Sequence, residues 1–191
     1  MALFRASSDS ASIEGRVVTL RAPEMTDFPA WAQLREQSRD FLTPWEPIWP
    51  SDDLTRGAFR RRLKRYFEEQ RADQSYAFLI FRREDQGLLG GITIANVRRG
   101  VAQTGSVGYW IGAPFARKGY MTDAVRTLAL FAFDQMRLHR LEAACIPTNA
   151  ASIALLEKSG FRREGYAREY LCINGAWADH FLYARLRGDR V

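Results

Sequence analysis

The chain changes its hydrophobic period repeatedly, and each change predicts an element. Residues 15–21 alternate around Val17, Val18 and Leu20 and predict a first strand. A helix then starts near Thr26, with Pro29 in its first turn, Trp31 and Leu34 on its apolar face, and Thr26 or Asp27 as its cap. Residues 41–50 cannot continue that helix, because Pro44, Pro47 and Pro50 interrupt it, so they predict a structured loop around Trp45 and Trp49. Ser51 or Asp52 opens a second helix reaching to about Ala72. Residues 76–82 and 88–97 predict two strands across a polar turn at 84–87, and 106–111 a third. A helix over 122–133, a strand over 141–146 and a helix over 150–158 follow. The chain ends in a long hairpin, 163–173 and 177–186, turned by Asn174-Gly175. This order predicts an α/β (α+β) protein: one mixed, mostly antiparallel central sheet of about seven strands with helices on both faces.

Composition narrows the class. With 191 residues, 47% of them hydrophobic, the chain suits one folded domain over 13–191 behind a frayed tail, 1–12. No apolar run approaches the ~18 residues of a membrane span, and no secretory signal opens the chain, so the expected compartment is the cytoplasm and no membrane partner is expected. Cys145, Cys172, His139 and His180 have no metal-binding spacing, so no metal site is expected. The net charge of +6 favours anionic partners. Part of it is concentrated in residues 56–65, where basic side chains interleave with Phe59 and Leu63 at helical spacing. That stretch reads either as the solvated face of an amphipathic helix or as a contact for RNA or a ribosome.

The candidate chemistry starts at Ala116-Arg117-Lys118-Gly119-Tyr120-Met121, a basic turn running straight into a helix at Thr122. Unpaired N–H groups and the helix dipole favour phosphates at such a place, and Gly119 lets the backbone approach them closely. Further on, Asn149 and Ser152 open the helix that follows the next strand. Asn149 reads as a helix cap or as an amide holding a ligand, and Ser152 as a first-turn cap or as a functional hydroxyl.

Ile111-x4-Ala116-x2-Gly119-x-Met121 resembles the acetyl-CoA signature of the GNAT superfamily of N-acetyltransferases, with Ala116 where that signature has Gln or Arg and Met121 where it has Gly or Ala. Phe41-Leu42-x-Pro44-Trp45-Glu46-Pro47, Leu138-His139-Arg140-Leu141-Glu142-Ala143, Pro147-x-Asn149-x-x-Ser152-x-x-Leu155-Leu156-Glu157-Lys158-x-Gly160-Phe161, Glu164-Gly165-Tyr166 and Asn174-Gly175-x-Trp177-x-Asp179-His180 resemble, in one register, the Rim-type ribosomal-protein-alanine N-acetyltransferases.

The resemblance implies direct transfer of an acetyl group from acetyl-CoA to a primary amine, with the N-terminal alanine of a ribosomal protein as the preferred acceptor. A small amine (a polyamine, an amino acid or an aminoglycoside) is the alternative acceptor, and a non-catalytic ribosome- or RNA-binding module the alternative class. The cofactor residues implied are Trp110, Ile111 and Gly112 through their main chain, Ala116 to Met121 and Thr122 as the phosphate cradle, and Asn149 and Ser152. Ser152 would protonate the departing thiolate, because Leu156 holds the place where many members of the superfamily carry a tyrosine. For the base, Glu142, Glu169 and Glu46 stay open beside a water chain, with Glu142 the carboxylate chosen. Trp45, Glu46 and Tyr170 would line the acceptor groove. The chain fits a monomer or a homodimer equally.

Overall fold

The computed structural model describes residues 12–189. The expected tail, 1–12, lies outside them apart from Ser12. The strands are β1 (Ile13–Glu14), β2 (Val18–Arg21), β3 (Tyr76–Arg82), β4 (Leu88–Arg98), β5 (Thr104–Ile111), β6 (Arg140–Cys145), β7 (Arg162–Ile173) and β8 (Ala176–Leu186). They form one sheet of eight strands in the order β1-β2-β3-β4-β5-β6-β8-β7. Every neighbouring pair is antiparallel except β5 and β6. The strand beyond the expected seven is β1: the first alternating run begins earlier than expected and folds back on itself, with Ile13 opposite Leu20. Asp123 ties this small hairpin down by accepting the Val17 and Val18 amides at 2.8 and 3.2 Å.

The helices are α1 (Phe28–Gln37), α2 (Arg39–Leu42), α3 (Arg56–Arg71), α4 (Tyr120–Leu130) and α5 (Ala150–Lys158). Neighbouring positions on β3 divide them between the faces. Leu79 and Phe81 meet Trp31, Leu34 and Phe59 of α1 and α3, whereas Ile80 joins Val125, Leu128 and Leu156 of α4 and α5. Helices therefore cover both faces, as the pattern predicts.

Element starts differ from expectation where caps compete. Asp27 does not cap α1 with its side chain; it accepts both Arg21 guanidinium nitrogens, at 2.8 and 2.6 Å, and the Glu24 amide at 2.7 Å. The helix expected from Ser51 or Asp52 begins at Arg56, because Thr55 Oγ1 accepts the Ala58 amide. The helix expected to run to residue 133 is α-helical to Leu130 and then widens into a π turn, Phe131–Gln135. On α3, Arg61 pairs with Asp52, Arg62 with Asp53, Lys64 with Glu68 and Arg65 with Glu69, so much of its positive charge is met within the fold.

Close backbone approach fixes the centre of the sheet. A Cβ on Gly90 would come within 2.2 Å of the Trp110 carbonyl oxygen across the β4–β5 ladder. Gly90→Ala is therefore expected to cost about 1–3 kcal/mol, the range of overpacked interiors. The measurement is a lower midpoint in urea unfolding at unchanged slope; an unchanged midpoint would contradict the close approach.

Candidate active site

The site begins where two strands part. β5 pairs with β6 only over Thr104–Arg140, Gly105–Leu141 and Ser106–Glu142. Beyond Ser106 the remaining residues of β5 keep their ladder to β4 but have none on the β6 side. The register to β4 decides which amides are left over. The Gly112 amide donates to the Leu89 carbonyl at 2.8 Å, and the β4–β5 ladder is unbroken from Gly90–Ile111 to Ala95–Ser106. By antiparallel alternation, the amides of Trp110 and Gly108 also turn toward β4, and those of Ile111 and Tyr109 turn into the gap. The main-chain donors are thus Ile111 and Tyr109, whereas the expected stretch was Trp110 to Gly112.

The gap opens into a cleft of about 990 Å³. On one side lie Ala116, Arg117, Gly119, Met121 and Thr122; on the other, Asn149, Ser152, Leu155 and Lys158; Phe41, Leu42 and Trp45 close the end. Gly119 has φ +84 and Arg117 φ +62, so the turn coils in the left-handed region before α4 starts. The Asp123 amide makes the first helical bond to the Gly119 carbonyl, leaving the preceding amides of the turn without helical acceptors. A Cβ on Gly119 would meet no protein atom, so the space in front of it belongs to the cleft. A left-handed glycine, free helix amides, Arg117 and Lys158 fit a pyrophosphate, and the strand amides fit an extended amide-bearing arm. Gly112, Lys118 and Tyr120 do not line the cleft. Gly112 packs on Leu34, Lys118 is exposed, and the Tyr120 hydroxyl interacts with Arg82.

Asn149 takes the capping role: its Oδ1 accepts the Ser152 amide at 3.0 Å, while the residue still lines the cleft. Ser152 Oγ lies 2.7 Å from the Tyr109 hydroxyl. Burial pushes the Tyr109 phenol up, against the smaller opposing effect of its bond to Ser152, so it stays protonated at neutral pH. Burial likewise raises the Cys145 thiol, which neighbours Ser152. Leu156 points into the core and is fully buried.

A second cavity, of about 380 Å³, lies on the α1/α3 side and shares Glu46, Tyr109 and Trp110 with the cleft. Its wall is fixed by Arg35. That guanidinium lies over the Trp49 ring at 4.0 Å and the Trp110 ring at 5.0 Å, and grips both Glu46 oxygens at 2.9 and 2.7 Å. Trp49 Nε1 adds a bond to Glu46 at 2.7 Å, and the Asn174 amide at the tip of the β7–β8 hairpin donates to the Glu46 carbonyl at 2.8 Å. Glu46 is therefore a strut between two cavities, with both carboxylate oxygens committed. Tyr170 lines neither cavity; its ring meets His180 edge-on with centroids 5.7 Å apart, and the hairpin reaches the site through its tip instead. Glu142 and Glu169 also lie outside both linings. Glu142 bridges Arg98 at 3.3 Å and Arg140 at 2.9 Å, and Glu169 is exposed on β7.

Sequence reasoning missed Tyr109, Arg35 and Asp53. Alternation along β5 would have placed Tyr109 on the face opposite Trp110, which is the α5 face that carries Ser152. Arg35 and Asp53 carried no local signal, because their importance comes from partners in other elements. Among the described residues no cluster of metal-ligating side chains occurs, and no helix is long and apolar enough to cross a membrane.

A parted parallel strand pair, a phosphate-binding turn at its mouth and a hydroxyl pair beside it define an acyl-CoA-dependent transferase. The acetyltransferase (GNAT) domain family matches residues 18–162. The chain is 37% identical over 177 residues to the probable N-acetyltransferase YjcK of Bacillus subtilis (strain 168), covering 93% of this chain and 98% of that protein. It is 32% identical to the [ribosomal protein uS5]-alanine N-acetyltransferase of Escherichia coli (strain K12), over 85% of each chain. The solved structure of Mycobacterium smegmatis RimJ in complex with CoA-disulfide superposes with a TM-score of 0.85 at 32% identity, covering 93% of this chain and 85% of that one. This chain belongs to the GNAT family of N-acetyltransferases and uses acetyl-CoA as its cosubstrate.

Gly119→Glu should abolish measurable acetyl-CoA binding in calorimetry, because it forces a side chain into the left-handed region and places a carboxylate in the cradle. Unchanged affinity would remove the turn from the site.

Proposed function

We propose that this enzyme acetylates the α-amine of a protein N-terminus, with an alanine of a ribosomal protein as the preferred acceptor. The observation that carries the reading is the second cavity, which meets the acetyl-CoA cleft at Glu46, Tyr109 and Trp110. An acceptor entering there reaches the acetyl donor without crossing the phosphate end. Its charged lining, Arg35 and Arg62 against Glu46 and Asp53, is balanced and not acidic, which disfavours a polycation such as a polyamine. The E. coli relative whose name specifies an alanine acceptor on uS5 supports the choice of amine.

Acetyl-CoA supplies an activated thioester. The amides of Ile111 and Tyr109 point to where its carbonyl would lie and stabilise charge there. Ser152 Oγ delivers a proton on the leaving-group side as the Tyr109 phenol, 2.7 Å away, hands its own to Ser152 and regains one from the water that takes up the amine proton, so that no phenolate remains. The incoming amine loses its proton to water and not to Glu142, whose carboxylate is held by two arginines outside both cavities. An N-terminal amine, with an ordinary pKa of about 7.7–8.0, needs no stronger base. We place the reaction in the cytoplasm, in line with the free thiols of Cys145 and Cys172, and in one domain over 13–191.

The test is acetyl-CoA consumption across N-terminal peptides, polyamines and free amino acids, with peptides expected to lead; faster turnover of polyamines would overturn the proposal. Ser152→Ala should lower kcat roughly 100-fold at unchanged acetyl-CoA affinity. Tyr109→Phe should lower it by about tenfold, the worth of one supporting hydrogen bond. Wild-type kcat in Ser152→Ala would remove it as the acid. In pH profiles kcat/KM should rise as the peptide amine deprotonates through about pH 8. It should then hold level past pH 10, the ordinary tyrosine value, because burial keeps Tyr109 protonated beyond it.

A further inference from the structure

The glycines within the strands are Gly90, Gly91, Gly105, Gly108 and Gly165, and all but one have a reason inside the protein. A Cβ on Gly90, Gly91 or Gly105 would come within 2.2, 2.4 or 2.6 Å of a neighbouring atom, and Gly165 sits at a register shift between β7 and β8. Gly108 has no such reason. Its ladder to β4 is unbroken, its φ is not positive, and a Cβ built on it would meet no atom within 4 Å. Glycine weakens a strand interior, and where neither packing nor backbone geometry asks for it, close approach by a ligand explains it. Gly108 shares a face with Trp110, two positions on, which packs toward α1 and α3. It lines the smaller cavity and not the acetyl-CoA cleft, so the ligand it makes room for is the acceptor. The next residue, Tyr109, turns its amide into the gap where the thioester carbonyl would lie. Across the ladders Gly108 stands opposite Thr93, and Thr93 opposite Ala77. Thr93 is the one polar member of this row of small side chains. Its hydroxyl has no hydrogen-bond partner among the described residues and, unlike the sealed Thr104 hydroxyl, stays open to the cavity.

We infer that Gly108 and Thr93 form the seat of the acceptor's first residue, its backbone lying against the bare strand at Gly108 while the Thr93 hydroxyl donates to its carbonyl. The first residue of a peptide offers an amine, a side chain and a carbonyl. The amine has to stay free as the nucleophile, so the carbonyl is the polar group left for the hydroxyl. This rests on the proposed reading of a protein N-terminus as acceptor and extends it from the amine to the backbone behind it. It makes Gly108 and Thr93 specificity residues, and a simple amine cannot engage Thr93 in this way.

The experiment compares an alanine-led hexapeptide with isopropylamine, which offers the amine but no carbonyl. Gly108→Val separates fold from function, because a β-branched residue suits a strand and its Cβ meets no protein atom there. The urea midpoint should hold or rise, the peptide KM should rise roughly tenfold or more, and the calorimetric affinity for acetyl-CoA should stay within about twofold. Gly108→Ala, a smaller intrusion in case the valine branches disturb the fold, should raise the peptide KM roughly threefold. Thr93→Val removes the hydroxyl at nearly constant shape. It should lower the peptide-to-isopropylamine ratio of kcat/KM roughly 2- to 10-fold, the worth of a neutral hydrogen bond, and Thr93→Ser should restore most of it. An unchanged peptide KM in the folded Gly108 variants overturns the inference. So does a lower urea midpoint in both, which gives the glycine to the fold, or a lost acetyl-CoA affinity, which gives it to the donor. An unchanged ratio in Thr93→Val overturns the hydrogen bond. A wild-type enzyme that acetylates isopropylamine but no peptide overturns the proposed acceptor as well, whereas a wild type active on peptides with unchanged variants overturns the seat alone.

Discussion

The site depends on the parallel pairing of β5 and β6 stopping after three residue pairs. Unpaired strand amides in a protein interior are costly unless something meets them. Here they face the mouth of a cleft, between the N-termini of α4 and α5. The connection dictates this placement. β5 and β6 are parallel, so the chain must cross over between them, and it does so through α4, whose N-terminus lies beyond the carboxyl end of β5. α5 starts just past the carboxyl end of β6 for the same reason. Two helix starts and two free strand amides converge where the strands separate.

Arg35 does for the smaller cavity what the parted strands do for the cleft. A loop with three prolines has few backbone hydrogen bonds of its own. Its position comes from a guanidinium stacked on two tryptophans and forked onto Glu46, with the hairpin tip bonded behind it. Such a group is expensive to bury and costlier to break. The second cavity therefore has a definite shape only while this node is intact, and α1, the loop and the β7–β8 hairpin have to assemble together.

Most elements were legible in the sequence because their signals are local. Two strand-like runs across a polar turn marked β3 and β4, Asn174-Gly175 marked the last hairpin, and Asn149 marked the start of α5. The errors fell where another side chain outcompeted the one with the expected local signal. Asp27 leaves its cap for Arg21, and Thr55 displaces the acids at 51–52 as the cap of α3. The same contrast runs through the site. Gly119 and Ser152 stand at recognisable spacings, but Tyr109 is brought to Ser152 only by the fold, across 43 positions. Glu142 and Tyr170, picked for their chemistry and their place in a motif, were drawn instead into an arginine bridge and an edge-on contact with the buried His180 ring.

The departures from the acetyl-CoA signature have a physical explanation in this fold. Met121 stands where a small residue is usual, and only 7% of it is exposed, because it packs into the core under α4 while its backbone remains at the cleft. A bulky residue is tolerated where the side chain points inward and only the amide is needed at the ligand. Ala116 brings no charge, but Arg117 and Lys158 both line the cleft. Attraction between a cation and a pyrophosphate is set by distance and solvation, not by sequence position. The backbone conformation is less replaceable. A turn through left-handed Arg117 and Gly119 aims consecutive amides at one point, and a residue that disfavours positive φ would have to rebuild the entry to α4. In this cradle, then, the side chains can vary and the glycine cannot.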